Sequence, residues 1–397
     1  MDVNLTKICQ KAEIIFNLTE PDNDYQFLYS TFDILLITVI VPVISLIGIL
    51  GNSAFLFTII RIKELRNATV TTYLANLAVC DILLWIFVTA WYVATYMTSP
   101  VNGSFPVRSS FGCSIWQIST HWWYLGSLSF ITLITVERYL AICKPVQHRN
   151  FRGKYLTLKI VIAVWVLSLL LTLTGVPQYS RSVFHCILWP ESEEFIDLPI
   201  TFNDCDPESS AADIYVNLLQ ILTLILGLII NFVLFAKIII ALRRFSKRSS
   251  RSQNVSKQVT RTLLANAIIF FICQVPDRIF AFDDIFDNVG GVDLLRSHYS
   301  EALVLLVGRA FLFLNSIINP FLYVLSCKLY REAMLKAICG ERCANKTADD
   351  PKEYNMQVKD KRISNATNVS TLSSGVSPVL IRKSVLDIDT RGTLLTS

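Results

Sequence analysis

The chain has 397 residues, 53% hydrophobic and 17% charged, with 36 Lys+Arg against 31 Asp+Glu and a net charge of +5 at pH 7. Its mean hydropathy is +0.48. That is too apolar for a soluble domain of this length, and the apolar residues come in runs of membrane-crossing length, so a soluble enzyme and a nucleic-acid-binding module are both excluded in favour of a polytopic membrane protein.

Taken in chain order, the N-terminal segment from Met1 to Thr6 has no positive flank leading into an apolar stretch. No cleavable signal peptide is expected, and the first span serves as its own insertion signal. Hydropathy predicts seven spans, over roughly 33–60, 68–97, 110–143, 155–177, 212–243, 258–285 and 300–325. The expected organisation is an N-terminal segment over 1–32, a bundle over 33–327, a surface helix over 328–343 and a tail over 344–397. Arg61, Lys63 and Arg66 follow span one, Lys144, Arg149, Arg152 and Lys154 follow span three, and Arg243, Arg244, Lys247 and Arg248 follow span five. The alternate loops are acidic, with Glu191, Glu193, Glu194 and Asp204 before span five and Asp283, Asp284 and Asp287 before span seven. The positive-inside rule then puts the N-terminus outside and the C-terminus in the cytoplasm.

Asn4, Asn17 and Asn102 begin outer-side glycosylation sequons. Cys9, Cys113, Cys186 and Cys205 also fall on the outer side, where oxidation is expected. Four cysteines allow two disulfides in three connectivities. The segment from Lys328 to Cys339 is basic and amphipathic and reads as a short helix on the inner leaflet. Cys339 and Cys343 there are candidates for palmitate, or plain reduced thiols. The tail is rich in Ser, Thr, Asn and Lys without apolar period, and is expected to be disordered.

The spans carry polar residues that hydrocarbon penalises unless they are paired or wet. Glu137-Arg138-Tyr139 lies at the inner end of span three, twenty-five positions after Cys113. At ~1.5 Å per residue that separation is about 38 Å, a full bilayer crossing. Asn52, Asp81, Ser127, Asn315, Ser316 and Asn319 lie deeper. A carboxylate among neutral oxygens suits a small hard cation such as sodium; equally, Asp81 is protonated and hydrogen-bonded. Nearer the outer face are Trp91, Tyr92, Thr120, His121, Trp122, Trp123, Tyr124, Asp277, Arg278 and Arg309. Charged and aromatic side chains together suggest a ligand cavity. The alternative for single members is an Asp277–Arg309 pair and an interfacial tryptophan belt.

These residues together resemble the rhodopsin-like (class A) G-protein-coupled receptors over about residues 33–340. The matching motifs are Gly51-Asn52, Leu77-Ala78 with Asp81, Cys113, Glu137-Arg138-Tyr139, Trp165, Phe270 with Cys273 and Pro276, and Asn319-Pro320 with Tyr323. The resemblance implies an all-α membrane protein: a seven-transmembrane helix bundle with a short amphipathic eighth helix and a disordered C-terminal tail. It implies that Arg138 engages a G protein on activation, that Glu137 holds it at rest, and that Tyr323 stabilises the active form. Pro145 and Val146 would dock on the G protein, and Asp81, Ser127, Asn315 and Asn319 would hold an allosteric Na+; no other cofactor is implied. Cys113 would be linked to the second outer loop, where Cys186 is the favoured partner and Cys205 is left for Cys9.

The sequence departs from the family pattern at four places, one of them the inner start of span six, where Ser256 and Lys257 stand and no acid is present to pair with Arg138. Gly227 stands where span five usually has a proline, Phe235 where a tyrosine is usual, and Gln274 where a tryptophan is common. Thr120 occupies the position of the aspartate that amine receptors use, and Phe313 that of the lysine that visual pigments use, so both classes are disfavoured. The long second outer loop and polar outer cavity look like neuropeptide receptors, including the FMRFamide type. The expected partners are therefore an extracellular peptide, a heterotrimeric G protein, arrestin, a receptor kinase and the lipid bilayer, in the plasma membrane. The binding residues expected are Trp91, Tyr92, Thr120, His121, Tyr124, Gln274, Asp277, Arg278 and Arg309. Rival readings are a receptor that signals without ligand or does not couple, and a transporter or channel, although no internal repeat is visible. No metal-ligand spacing, phosphate loop or nucleophile elbow marks an enzyme.

Overall fold

The computed structural model describes residues 9–10, 12–19, 27–150, 153–244, 251–290 and 298–340. Asn4, Cys343 and the tail lie outside the described residues, as do the side chains of Asp277 and Arg309.

Eight helices organise the described chain: α1 Thr31–Arg61, α2 Thr69–Thr98, α3 Ser110–Cys143, α4 Lys154–Leu173, α5 Ser210–Arg244, α6 Arg251–Gly290, α7 His298–Ser326 and α8 Lys328–Cys339. Short helices at Lys63–Arg66 and Pro145–Asn150 sit in the connections on one side. Six helices are long and apolar enough to cross a bilayer, and the inner part of α7 with α8 makes a further pair bent by 99°. The sharp bend at Cys327 separates an apolar helix from an amphipathic one, as the composition of the two segments requires.

Local chemistry sets the helix starts. Ser30 and Asp33 form a reciprocal capping box at α1, with the Ser30 amide donating to Asp33 Oδ2 at 2.9 Å. Pro42 lacks the amide that would bond one turn back, and the helix opens into a π turn over Leu36–Ile40 just before it. Ser109 caps α3, accepting from the Gly112 amide at 3.2 Å.

Helix α3 is central, packing against α2, α4, α5 and α6. The core between the helices includes Leu74, Leu77, Phe130, Ile131, Phe270 and Tyr323, each 2% exposed or less. Large apolar residues such as Leu167, Leu226 and Phe232 point outward instead, which only a lipid environment tolerates in such numbers. Helix contacts depend on small residues and polar ties, since lipid competes for apolar contact. A Cβ at Gly48 would meet the Trp85 indole at 2.4 Å, so α1 and α2 approach only as closely as glycine allows. Trp165 Nε1 donates to Asn76 Oδ1 at 2.9 Å, tying α4 to α2.

On the opposite side from the short connecting helices, a three-stranded sheet forms in the order β1-β2-β3, from β1 Ile15–Asn17, β2 Arg181–Leu188 and β3 Thr201–Asp206. The expected Cys113–Cys186 disulfide is corrected here. Cys113 is bonded to Cys205, and Cys186 to Cys9. Register explains the exchange. Cys205 lies opposite Ser182, and the Ser182 amide reaches Ser110 Oγ at 3.4 Å, which places that end of the hairpin over the start of α3. Cys186 is four residues further along β2, about 13 Å away in an extended strand. There β1 pairs with it in parallel, Ile15 opposite Cys186, and brings the N-terminal segment with Cys9 onto it.

Candidate functional site

The outer part of the bundle holds a partly buried polar chain that crosses three helices. Arg278 of α6 donates from Nη1 to Gln220 Oε1 of α5, and the Gln220 amide meets His121 Nε2 of α3. His121 Nδ1 lies 3.3 Å from Thr120 Oγ1, and Thr120 donates to the Trp116 carbonyl at 3.1 Å. The Arg278 guanidinium also lies 5.1 Å over the Tyr124 ring. Such a stacked and hydrogen-bonded guanidinium is stabilised even at 8% exposure. Trp91 stacks on Trp116 at 3.9 Å and meets Phe105 edge-on at 4.8 Å. Tyr92 is half-buried. The cleft beside His121 and Gln220, lined also by Leu125, Val216 and Leu219, is only about 10 Å³. That is room for one water.

The structure brings together Thr120, His121, Tyr124 and Arg278, four of the residues expected to line the outer cavity. It adds Gln220, which sequence reasoning missed. The signal was there: Gln220 is two helical turns before Gly227 and, with Asn217 and Thr223, is polar in a largely apolar stretch. Gln274 is 3% exposed, and its Oε1 has no hydrogen-bond partner.

Below this chain, α5 and α3 come into close contact. A Cβ at Gly227 would meet Leu128 Cδ1 at 2.9 Å. One turn on, Asn231 Nδ2 donates to Thr132 Oγ1 at 3.0 Å and to the Gly227 carbonyl at 2.8 Å. The missing proline of α5 is replaced by a close glycine contact with a polar tie. Phe270, with Phe271 edge-on at 5.5 Å, is 1% exposed in the adjoining core, six residues before Pro276 of α6.

At mid-depth, Asn319 Nδ2 donates to Asp81 Oδ2 at 2.7 Å. The Oδ1 atoms of Asn315 and Asn319 have no hydrogen-bond partner. Ser127 is buried on α3, next to Gly126, where an added Cβ would meet Cys80 Sγ at 3.1 Å. Asn52 Nδ2 donates to the Gly48 and Ser316 carbonyls at 3.0 and 3.2 Å, tying α1 to α7 four residues before Pro320. Tyr323 is buried between Phe55 and Tyr330, and its hydroxyl accepts from Asn266 Nδ2 of α6 at 3.2 Å.

At the inner end of α3, Arg138 Nε and Nη2 both reach Glu137 Oε2 at 2.5 Å. The other Glu137 oxygen lies 3.0 Å from His148 Nε2, on the short helix Pro145–Asn150. Sequence reasoning assigned Glu137 to Arg138 alone and gave His148 no role. Tyr139 lies under Lys237 Nζ at 5.7 Å from the ring centre. Val146, 69% exposed, follows Pro145 on the outward side of the same short helix. Burial pushes the Tyr330 hydroxyl of α8 above its ordinary range, against the opposing pull of the Arg138 charge.

Residues 51–323 match the family model described as the 7 transmembrane receptor (rhodopsin family). The chain belongs to that family. Among similar proteins are the human thyrotropin-releasing hormone receptor, 27% identical over 86% of this chain and 86% of the relative. The rat somatostatin receptor type 4 is 26% identical over 79% and 77%. The mouse C-C chemokine receptor 1-like protein 1 is 29% identical over 75% and 78%. This receptor is therefore a multi-pass membrane protein of the G-protein-coupled class, and α1 to α7 are its seven helices. The Glu137–Arg138 pair, the Asp81–Asn319 bond and Tyr323 lie along the receptor's α2, α3 and α7, below the outer polar chain.

Proposed function

We propose that this receptor binds an extracellular neuropeptide at the plasma membrane, with its N-terminus outside, and activates a heterotrimeric G protein. The observation that carries this reading is the Arg278–Gln220–His121 chain, a buried guanidinium that donates to Gln220, which in turn meets His121, so that the chain joins three helices. A carboxylate or an amidated peptide terminus can replace Gln220 at Arg278, and doing so releases α6 from α5 and α3. A ligand shifts the receptor only by binding one arrangement better than the other, and competition for this guanidinium supplies that difference. Asp277 and Arg309 belong to the same proposed cavity, with the loop acids steering basic peptides toward it. The relatives that respond by name to thyrotropin-releasing hormone and somatostatin support a peptide as the ligand class.

At the inner end, release of Arg138 from Glu137 would free it for the G protein, with Pro145 and Val146 completing the docking surface. Arrestin and a receptor kinase act on the Ser/Thr-rich tail, Cys339 and Cys343 carry palmitate, and Asn4, Asn17 and Asn102 carry glycans in this reading. The Asp81 carboxylate with the unpartnered Asn315 and Asn319 oxygens and the Ser127 hydroxyl is a hard-oxygen donor set that fits Na+. Bound there, the ion would neutralise the buried carboxylate. Agonist affinity measured in Na+ and in choline, with Asp81→Asn as control, tests that part.

The deciding experiment expresses the full chain with a promiscuous G protein and screens a peptide library for calcium release. A responding peptide should lose its effect in Arg138→Ala at normal surface display. A peptide that triggers current or uptake without a G protein would favour the transporter reading, and binding without nucleotide exchange the non-coupling one.

A further inference from the structure

The outer hairpin carries a polar cluster that neither the cavity nor the inner latch uses. In the β2–β3 register Arg181 lies opposite Asp206, Val183 opposite Asp204 and His185 opposite Phe202. Alternation puts these six side chains on one face of the hairpin. One ligand atom from each of His185, Asp204 and Asp206 lies within 4.8 Å of the other two. His185 is 3% exposed, and its Nδ1 has no hydrogen-bond partner. Its Nε2 faces Asp204 Oδ2 at 3.9 Å, beyond hydrogen-bond reach. Packing against Phe16 and Phe202, at 5.9 and 5.1 Å between rings, aims the imidazole instead. The other Asp204 oxygen accepts from the Cys205 amide at 2.7 Å, which orients that carboxylate. Arg181 is the cation on this face, but Glu13 takes its guanidinium at 2.9 Å.

We propose that His185, Asp204 and Asp206 form an extracellular site for a transition-metal dication of the Zn2+ type. One imidazole and two carboxylates make a donor set such ions accept, with a fourth position left for water or a ligand group. Calcium or magnesium would require about six oxygens and is disfavoured. Metal–ligand bonds of about 2.1 Å draw tetrahedral donors to roughly 3.4 Å apart. The partly exposed Asp206 and the nearby Asp204 need move inward by only about 1 Å to meet that spacing. His185 precedes Cys186, bonded to Cys9, and Asp204 precedes Cys205, bonded to Cys113. An ion at this point bridges β2 to β3 between the two disulfides and stiffens the hairpin above α3. Any effect on agonist rests on the proposed function; metal binding itself does not.

The test uses the full receptor in lipid nanodiscs, stripped with EDTA and titrated with Zn2+ alone, then with Co2+ as a spectroscopic reporter. Expected are a saturable rise in melting temperature and a tetrahedral Co2+ absorption that Zn2+ displaces. Asp204→Asn and Asp206→Asn should each weaken binding about tenfold or more. His185→Phe, which preserves the ring packing, should abolish the Co2+ spectrum while melting normally in EDTA. Equal Zn2+ affinity in all three variants, which would place the ion at other histidines or thiols, overturns the proposal. So does the absence of a Co2+ spectrum in the unaltered receptor.

Discussion

Replacing His148 with alanine should raise the activity of the receptor in the absence of agonist. His148 Nε2 sits 3.0 Å from Glu137 Oε1, while Arg138 holds the other oxygen at 2.5 Å. The three side chains are 16%, 8% and 12% exposed, so solvent screens this cluster little. A hydrogen bond to a charged group contributes about 1.5–3 kcal/mol. If the bond exists only while Glu137 holds Arg138, its loss shifts the resting equilibrium by about 10- to 150-fold. A receptor with ~1% of molecules active at rest would then reach roughly 10–60%. The assay is agonist-independent GTPγS exchange on a purified heterotrimer, with receptor in nanodiscs normalised to correctly folded protein. His148→Gln, whose side-chain amide can place a donor near the position of Nε2, should return basal exchange toward that of the parent. Basal exchange within twofold of the parent, or a fall in agonist-driven exchange without a basal rise, would show that His148 is not part of the resting latch.

Three further outcomes are expected. Gln220→Leu removes the middle of the outer chain and its bonds to Arg278 and His121, a loss of about 1–3 kcal/mol that a lowered melting temperature will register; agonist potency should change with it, and an unchanged receptor would mean the chain is not a structural tie. Gly227→Ala puts a methyl 2.9 Å from Leu128 Cδ1, which should destabilise by about 1–3 kcal/mol; Leu128→Ala should partly rescue it, and a lack of rescue would place the strain elsewhere. Cysteine variants should fall into two groups: Cys113→Ser and Cys205→Ser should be alike and no worse in combination, as should Cys9→Ser and Cys186→Ser. The Cys9–Cys186 link spans 177 residues and the Cys113–Cys205 link 92, closures of about 5.2 and about 4.6 kcal/mol in the chain-entropy model, so surface display should drop to a similar extent in the two groups. A double variant of Cys113 and Cys186 that behaves like either single one would refute the pairing.

The bundle was legible because hydrocarbon imposes a strong, local rule: about 20 apolar residues per crossing. Asp81, Asn319, Glu137 and Arg138 were legible for the same reason, since a polar group at such depth is conspicuous. What escaped was anything set by register between distant segments. Cys186 and Cys205 differ by four strand positions, and only the parallel docking of Ile15 beside Cys186 decides which of them reaches Cys113. No span or charge count contains that docking, because β1 is three residues long and its partner lies some 170 positions away. His148 escaped through the opposite difficulty. It lies in a short connecting helix where a polar residue is ordinary, and it gains meaning only when that helix folds back onto Glu137. Gln220 falls between the two cases: its depth made it visible, yet an amide carries no charge to single it out until Arg278 and His121 arrive from other helices. The departures at Gly227 and Gln274 follow the same logic. Read singly, each removes a familiar device; in place, Gly227 admits Leu128 and Asn231 ties to Thr132, so α5 and α3 are held by contact where a proline kink would otherwise have set their distance. A helix pair fixed by close packing and one amide bond has few intermediate positions. Displacement at Gln220 is therefore expected to move α5 as a unit, and through Asn231 to reach the same helix whose inner end carries Arg138.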